Sequence, residues 1–386
     1  MISQAALYLA TADDVHAARL RVAGRPVAFR VLLAAIRAGA RRVGVPAALR
    51  SPDFEAALAS APRARAALVW LDTPGALAKE PTLLLPAAAL VPARALTRML
   101  DAPRTRVLAE SLAADAPVIG ADPGLLEPLR GALEAGVLLG DTLVHVVKER
   151  ELEPVAGDGW YVRVTGPRTA AEAERCLYAD LGSPIDTRLD IVLHRRLSRP
   201  VSRTAVGLGI GPNPITVASG VVGLAAAAAF ALSTPSALIA GLLLYVFAVV
   251  LDHADGEVAR LTMSESALGE WLDAVIDTVV HTTLVLALGV AAGHLSGGGQ
   301  VAGMIAAVGV LAGGLVGKLW PPAPASARRN VLDRLTSRDG FYAMLSLFVL
   351  MGLFRPTLLP GLMLVVAIGS HAYWLARALV LVARRS

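Results

Sequence analysis

The chain has 386 residues, of which 55% are hydrophobic and 17% charged, with a formal net charge of +5 and a mean hydropathy of +0.60. Such apolarity excludes an ordinary water-soluble enzyme. A single cysteine, Cys176, excludes an intramolecular disulfide. The opening MISQAALYLATADD has no basic segment followed by a cleavable apolar core, so the N-terminal part is expected to stay in the cytoplasm.

Residues 1–180 mix charge with Ala and Leu in the manner of a soluble α/β domain. AALYLA and RRVGVP read as strands separated by the helix VAFRVLLAAIRAGA, and AALVWLD as a further strand. That alternation predicts a mostly parallel, Rossmann-type sheet. The stretch RPVAFRVLLAAIRAGARRVGVP resembles the early part of sugar-nucleotide nucleotidyltransferases, where a helix ending in AG leads into the second strand. A working enzyme of that type needs a glycine-rich loop with a basic residue after its first strand, to wrap a triphosphate. Here the chain reads LATADDVHAARL, without glycine, and Asp13 and Asp14 would repel phosphates. Asp72 in WLDTP could imitate a metal-binding aspartate but reads as a turn residue. A nucleotidyltransferase-like domain that has lost its catalysis is therefore expected.

Residues 181–211 join this domain to the rest. Leu189, Ile191, Val192, Leu193, Leu197 and Val201 interleave with Arg188, Arg195, Arg196, Arg199 and Arg203, as in an amphipathic helix lying in a membrane interface. Pro200 is expected to kink or divide it.

From residue 212 to 386 the text falls into long apolar runs, predicting an all-α membrane domain of six transmembrane helices near 213–233, 236–254, 268–292, 300–319, 340–355 and 358–382. The loops STPS, GHLSGGGQ and FRPT carry one arginine between them, Arg355, whereas HRRLSRPVSR, ARRNVLDRLTSR and ARRS lie on the other side. Lys and Arg favour the cytoplasmic side of short loops, so both termini and the aspartate-bearing loop are expected in the cytoplasm.

That loop belongs to LDHADGEVARLTMSESALGEWLDAVID, residues 251–277. Asp252, Asp255 and Ala259 share one face of a helix continuing the second span, and Asp273 and Asp277 share one face of the third. An antiparallel pair joined around residues 261–268 would gather four carboxylates, which repel one another unless a cation sits among them. Oxygen-only ligands favour Mg²⁺ or Mn²⁺, ions that share their coordination with substrate phosphates. Gly256, Ala259 and Gly269 leave room for a flat group such as a nucleobase, and Arg260 offers a positive fork to a phosphate oxygen. His253 and His281, near the aspartates, are not read as ligands, and His371 reads as a satisfied polar residue facing the bundle.

The pattern D-x-x-D-G-x-x-A-R, eight residues, G-x-x-x-D-x-x-x-D is met at all eight fixed positions, Asp252, Asp255, Gly256, Ala259, Arg260, Gly269, Asp273 and Asp277. In this the chain resembles the CDP-alcohol phosphotransferases, integral-membrane enzymes that include phosphatidylinositol-phosphate and phosphatidylglycerol-phosphate synthases. GPNPIT, residues 211–216, is similar to the P-N-x-I-T with which that family enters its first span. The resemblance implies attack of an acceptor hydroxyl on the β-phosphorus of a CDP-alcohol, such as CDP-diacylglycerol, with release of CMP. By the same resemblance Asp252, Asp255 and Asp273 hold a metal pair, with Asp277 a ligand or the base. Asp252, Gly256, Ala259, Gly269 and Arg260 would bind the CDP group, and the protein would be a homodimer.

Some family members carry a nucleotidyltransferase domain in front, in fused enzymes that make CDP-inositol and join it to inositol phosphate. That donor and acceptor are the alternative substrates, and a non-catalytic membrane scaffold is the alternative of a different class. A transporter needs no D-G-x-x-A-R beside a second acidic turn, and the N-D-x-x-D motif of membrane prenyltransferases lacks the small residues and arginine. Arg328, Arg329, Arg334, Arg338 and Lys318 are candidate contacts for a phosphorylated acceptor, against plain anchoring to anionic headgroups. A multi-pass protein of the cytoplasmic membrane, contacting lipid and no nucleic acid, is expected.

Overall fold

Short apolar runs alternating with helices build the first half of the chain. The computed structural model describes residues 2–101, 105–181, 194–319 and 338–383. It divides into two compact units, Met1–Leu181 with Leu261–Ser264, and Gly182–Arg260 with Glu265–Ser386.

The first unit holds a seven-stranded sheet: β1 (Gln4–Tyr8), β2 (Arg42–Pro46), β3 (Leu68–Leu71), β4 (Thr82–Pro86), β5 (Arg106–Leu108), β6 (Ile119–Ala121) and β7 (Pro154–Val155). Their spatial order is β3-β2-β1-β4-β6-β5-β7. β1 pairs parallel with β2 and β4, and β2 with β3, whereas β6 runs antiparallel to β4 and β5. β1 and β4 are buried along their whole length, each following one buried polar residue, Gln4 or Thr82, with apolar ones. The expected mostly parallel sheet is present, but the doubly wound Rossmann order extends only through the first four strands. Residues 109–118 are too short for a crossover helix, so β6 returns antiparallel.

Side chains alternate along β1. Leu7 enters one core with Phe29, Leu32, Val43 and Leu83, while Tyr8 enters the other with Leu84, Val107, Ile119 and Leu125. Phe29 and Leu32 lie on α1 (Val27–Ala38), which stops at Gly39, whose φ of 119° is open to glycine without a Cβ clash. On the opposite core, α2 (Pro123–Glu134) starts from Asp122, whose carboxylate accepts the Leu125 N–H at 2.8 Å. That bond holds the Asp122 carboxyl below its ordinary range. Asp122→Ala is expected to cost the unit about 1 kcal/mol at neutral pH. The stabilisation is complete above the ordinary aspartate range and lost as pH falls through the depressed value, so urea melts at pH 7 and pH 3 should differ in the size of the effect.

In this chain the turn after β1 binds its own side chain. The Asp14 carboxylate accepts the Ala10 N–H at 2.7 Å and the Thr11 hydroxyl at 3.0 Å, and receives Arg163 through both terminal nitrogens at 3.1 and 2.6 Å. Burial pulls the Arg163 guanidinium down, but the hydrogen bonds and charge of Asp14 outweigh it and hold the group above its ordinary value. Gly140 closes on the same turn, where a Cβ would lie 2.7 Å from the Ala10 carbonyl oxygen. Asp72 is half exposed and 3.8 Å from Arg50, a surface position.

The second unit is helical: α3 (Arg195–Gly207), α4 (Pro212–Ala231), α5 (Pro235–Thr262), α6 (Ala267–Ser296), α7 (Gln300–Leu319), α8 (Arg338–Phe354) and α9 (Leu359–Ala383). Among the described residues five stretches are long and apolar enough to cross a membrane, 212–231, 235–262, 267–296, 300–317 and 356–376. Five of the six expected spans are found in this way; the remaining one corresponds to a shorter apolar helix, 340–354. At 1.5 Å per residue the 17 residues of α8 span only about 25 Å.

Glycine sets the packing of the central helices. A Cβ on Gly220 or Gly223 of α4 would lie 2.7 Å from Ile276 or 2.6 Å from Val280 of α6. Gly289 of α6 and Gly303 of α7 meet backbone to backbone, a Cβ on the first lying 2.7 Å from the Cα of the second.

The joining helix departs from expectation in two ways. Leu189, Ile191, Val192 and Leu193 lie outside the described residues, and within α3 the arginines do not all face water. Arg196, Arg199 and Arg203 are exposed beside Leu197, whereas Arg195, Ser198 and Ser202 are buried. Nor does Pro200 divide the helix. The missing proline N–H and the ring clash fall on the carbonyl one turn back, that of the exposed Arg196, where solvent can satisfy what the helix loses.

Candidate functional site

Helix α5 continues without interruption through the first half of the aspartate motif, so Asp252 and Asp255 stand on the last turns of a long apolar helix. The chain then breaks at Met263, whose φ is 53°, and restarts at Ser266, whose hydroxyl caps α6 by accepting the Gly269 N–H at 3.1 Å. Asp273 and Asp277 follow on the next two turns of α6.

The antiparallel arrangement brings one carboxylate oxygen each of Asp252, Asp255 and Asp273 within 4.8 Å of one another. Asp277 is not a member of that trio. One turn further along α6, it lines a small pocket with Asp252, Ser219, Tyr245, Ile276 and His281. Three carboxylates so close and half-buried to buried repel one another, and a cation between them would offset that repulsion. Their donor set is oxygen alone, which fits a hard divalent ion.

Two further residues complete the trio's surroundings. Thr216, at the end of GPNPIT, donates its hydroxyl to Asp255 at 2.5 Å, and Asp255 is only 6% exposed. The Asn213 side-chain oxygen lies 3.3 Å from where a Cβ on Gly269 would sit. The start of α4 thus touches both halves of the motif, a role the sequence analysis missed by treating GPNPIT only as the entry to a span. Its signal was the threonine itself, a hydroxyl at the edge of an apolar run. Thr216→Val, which keeps the shape and removes the donor to a carboxylate, is expected to lower turnover about tenfold, measured as initial rate at saturating substrate.

Arg260 folds back one turn over Gly256, its guanidinium Nη1 lying 3.4 Å from where a Cβ would be. Gly256 and Arg260 therefore form one surface on α5, with Ala259 and Gly269 partly exposed. His253, His281 and His371 all hydrogen-bond within the protein, as expected for His371. His253 donates from Nδ1 to the Val249 carbonyl at 2.9 Å. His281 donates from Nδ1 to the Asp277 carbonyl at 2.7 Å, leaving Nε2 to accept from the Tyr245 hydroxyl at 3.1 Å. His371 donates to the Ile305 carbonyl at 3.0 Å and accepts from the Trp374 indole at 3.0 Å. Of the candidate acceptor contacts, Arg328, Arg329 and Arg334 lie outside the described residues, and Lys318 and Arg338 are described as helix backbone only.

Comparison with known proteins places these features. The family model described as CDP-alcohol phosphatidyltransferase matches residues 210–366. A CDP-diacylglycerol–serine O-phosphatidyltransferase of Mycobacterium leprae is 46% identical over 81 residues, 21% of this chain and 26% of that protein. Proteins named bifunctional IPC transferase and DIPP synthase are also similar. That of Archaeoglobus fulgidus is 36% identical over 85 residues, 22% of this chain and 16% of the relative. That of Thermococcus kodakarensis is 34% identical over 142 residues, 36% of this chain and 32% of the relative. The chain therefore spans less than a third of the length of each curated relative it matches. The Mycobacterium tuberculosis phosphatidylinositol phosphate synthase, solved with CDP-DAG bound, aligns with a TM-score of 0.38 and 19% identity over 47% of this chain and 92% of its own. With all eight motif positions inside the matched stretch, residues 210–366 form a domain of the CDP-alcohol phosphatidyltransferase family.

Proposed function

We propose that the protein is an integral-membrane transferase that moves a substituted phosphate from a CDP-alcohol, such as CDP-diacylglycerol, to an acceptor alcohol, releasing CMP. The observation that carries this reading is the convergence of Asp252, Asp255 and Asp273 within 4.8 Å, inside the family-matched stretch. The acceptor oxygen forms a bond to the β-phosphorus as the bond from that phosphorus to the CMP oxygen breaks, and the acceptor proton leaves to a base. Asp252, Asp255 and Asp273 would hold Mg²⁺ or Mn²⁺, as two ions, which when bound neutralise the diphosphate and the charge on the entering and leaving oxygens. Asp277 serves as a further ligand or as the base. Gly256, Ala259 and Gly269 leave space for the cytidine, and Arg260 binds a diphosphate oxygen.

Further parts of the reading follow the charge pattern and the family. All six apolar helices, α8 included, span the cytoplasmic membrane, with the aspartates and the N-terminal unit on the cytoplasmic side. The protein is a homodimer. Its first unit is a nucleotidyltransferase-like domain without catalysis, a reading supported by the Asp14 carboxylate in the turn after β1. A second choice of substrates, CDP-inositol with inositol phosphate, is favoured by the names of the two archaeal relatives.

The test is CMP release by purified protein with Mg²⁺ or Mn²⁺, offering CDP-diacylglycerol and CDP-inositol against inositol phosphate, glycerol phosphate, serine and inositol. Release is expected from one donor and one acceptor, and Asp277→Asn is expected to abolish it while the protein stays folded. Turnover unchanged in Asp277→Asn would refute the assigned role, and a folded protein that binds no cytidine nucleotide would favour the scaffold.

A further inference from the structure

Between Asp255 and Ala259 the motif leaves two positions open, and one of them holds Glu257. Its side chain has no exposure at all, a costly place for a carboxylate unless its lone pairs are filled. One stripe of α3 fills them. Arg195 Nη1 donates to Oε1 at 2.8 Å, the Ser198 hydroxyl to Oε1 at 2.9 Å, and the Ser202 hydroxyl to Oε2 at 2.6 Å. Spaced i, i+3 and i+7, these three residues share a single face of α3. Ser202 also reaches the Ala254 carbonyl, one turn earlier on α5, at 3.4 Å.

At 100° per residue, Glu257 points about 170° away from the mean direction of Asp252 and Asp255. The grip is therefore on the back of the helix whose front carries two of the three gathered carboxylates. Rotating α5 by about 20° about its axis would move a side-chain oxygen some 6 Å from that axis by about 2 Å. Metal–ligand distances tolerate only about ±0.2 Å. Apolar packing is non-directional and fixes such a rotation poorly, whereas three hydrogen bonds to one carboxylate fix it closely.

We propose that Glu257 is a positioning residue: held by Arg195, Ser198 and Ser202, it sets the rotation of α5 so that Asp252 and Asp255 face Asp273. This rests on the reading of the aspartates as metal ligands, and the test separates the two. Mn²⁺ alone is titrated into the full-length protein in detergent and followed by electron paramagnetic resonance, with thermal melting recorded alongside. Unmodified protein is expected to bind Mn²⁺, and Asp252→Asn is expected to weaken that binding. Glu257→Gln is expected to weaken it at least tenfold.

Because Glu257→Gln leaves Arg195 facing an amide, a second variant joins Arg195→Met with Glu257→Met. Apolar replacement of a buried ion pair commonly preserves stability, and removing both charges leaves the local net charge unchanged. This double variant is expected to melt with the unmodified protein yet bind Mn²⁺ at least tenfold more weakly. Mn²⁺ affinity equal to that of the unmodified protein in either variant overturns the positioning role and leaves the metal site standing. Absence of Mn²⁺ binding in the unmodified protein, or binding indifferent to Asp252→Asn, overturns both.

Discussion

Asp255→Asn is expected to lower CMP release to less than about a thousandth, a loss of roughly 4 kcal/mol in transition-state stabilisation. Asparagine keeps the shape and can still accept the Thr216 hydroxyl, so the change removes little but the charge. The same charge is what makes the metal-free site unfavourable, since Asp252, Asp255 and Asp273 crowd within 4.8 Å. Without divalent ion the variant should therefore melt no lower than the unmodified protein, and relief of like-charge repulsion should raise its melting point. Adding Mn²⁺ should reverse the order, because ligand binding stabilises the folded state only where the site holds the ion. Activity and metal-free stability moving in opposite directions is the signature of a functional carboxylate. A structural one would lose both.

The site's clustered carboxylates were legible in the sequence because they lie on two adjacent helices joined by a short turn, so their spacing in the chain is nearly their spacing in space. Asp252, Asp255 and Asp273 meet as that spacing implies. What lay hidden reaches in from other helices. Thr216 comes from 39 residues before Asp255, and Arg195 from 62 before Glu257. No periodicity within one segment carries such a pairing. Arg195 was misread for the same reason: on a helix rich in arginine it looks like its neighbours Arg196 and Arg199, and only the buried carboxylate opposite distinguishes it. In the first unit, β1, β2 and β3 were readable as apolar runs of four or five residues between turn signals. β5, β6 and β7 have only two or three residues each, too few for a pattern, and with them went the antiparallel strand.

Asp14→Ala is expected to destabilise the first unit by about 3 kcal/mol, the lower end of what removing one partner of a buried ion pair costs. The cost falls at that end because Arg163 retains Asp115 at 3.4 Å, an exposed and therefore weaker partner. Two other groups lose their acceptor, the Ala10 N–H and the Thr11 hydroxyl, and a buried N–H without a partner is itself costly. The effect should concentrate where these groups lie, so hydrogen exchange in peptides covering residues 4–14 and 154–165 should speed up a hundredfold or more, while the second unit's helices stay unchanged. Asp13, the neighbouring acid, is exposed, and Asp13→Ala should leave exchange as it was. Pairing Asp14→Ala with Arg163→Met should recover most of the loss, since the stranded guanidinium is its largest part. The carboxylate between Ala10 and Arg163 then stands as a built-in anion that holds the turn after β1 to the strand carrying Arg163. An exchange rate unmoved by Asp14→Ala would mean that the turn after β1 is held by its backbone alone.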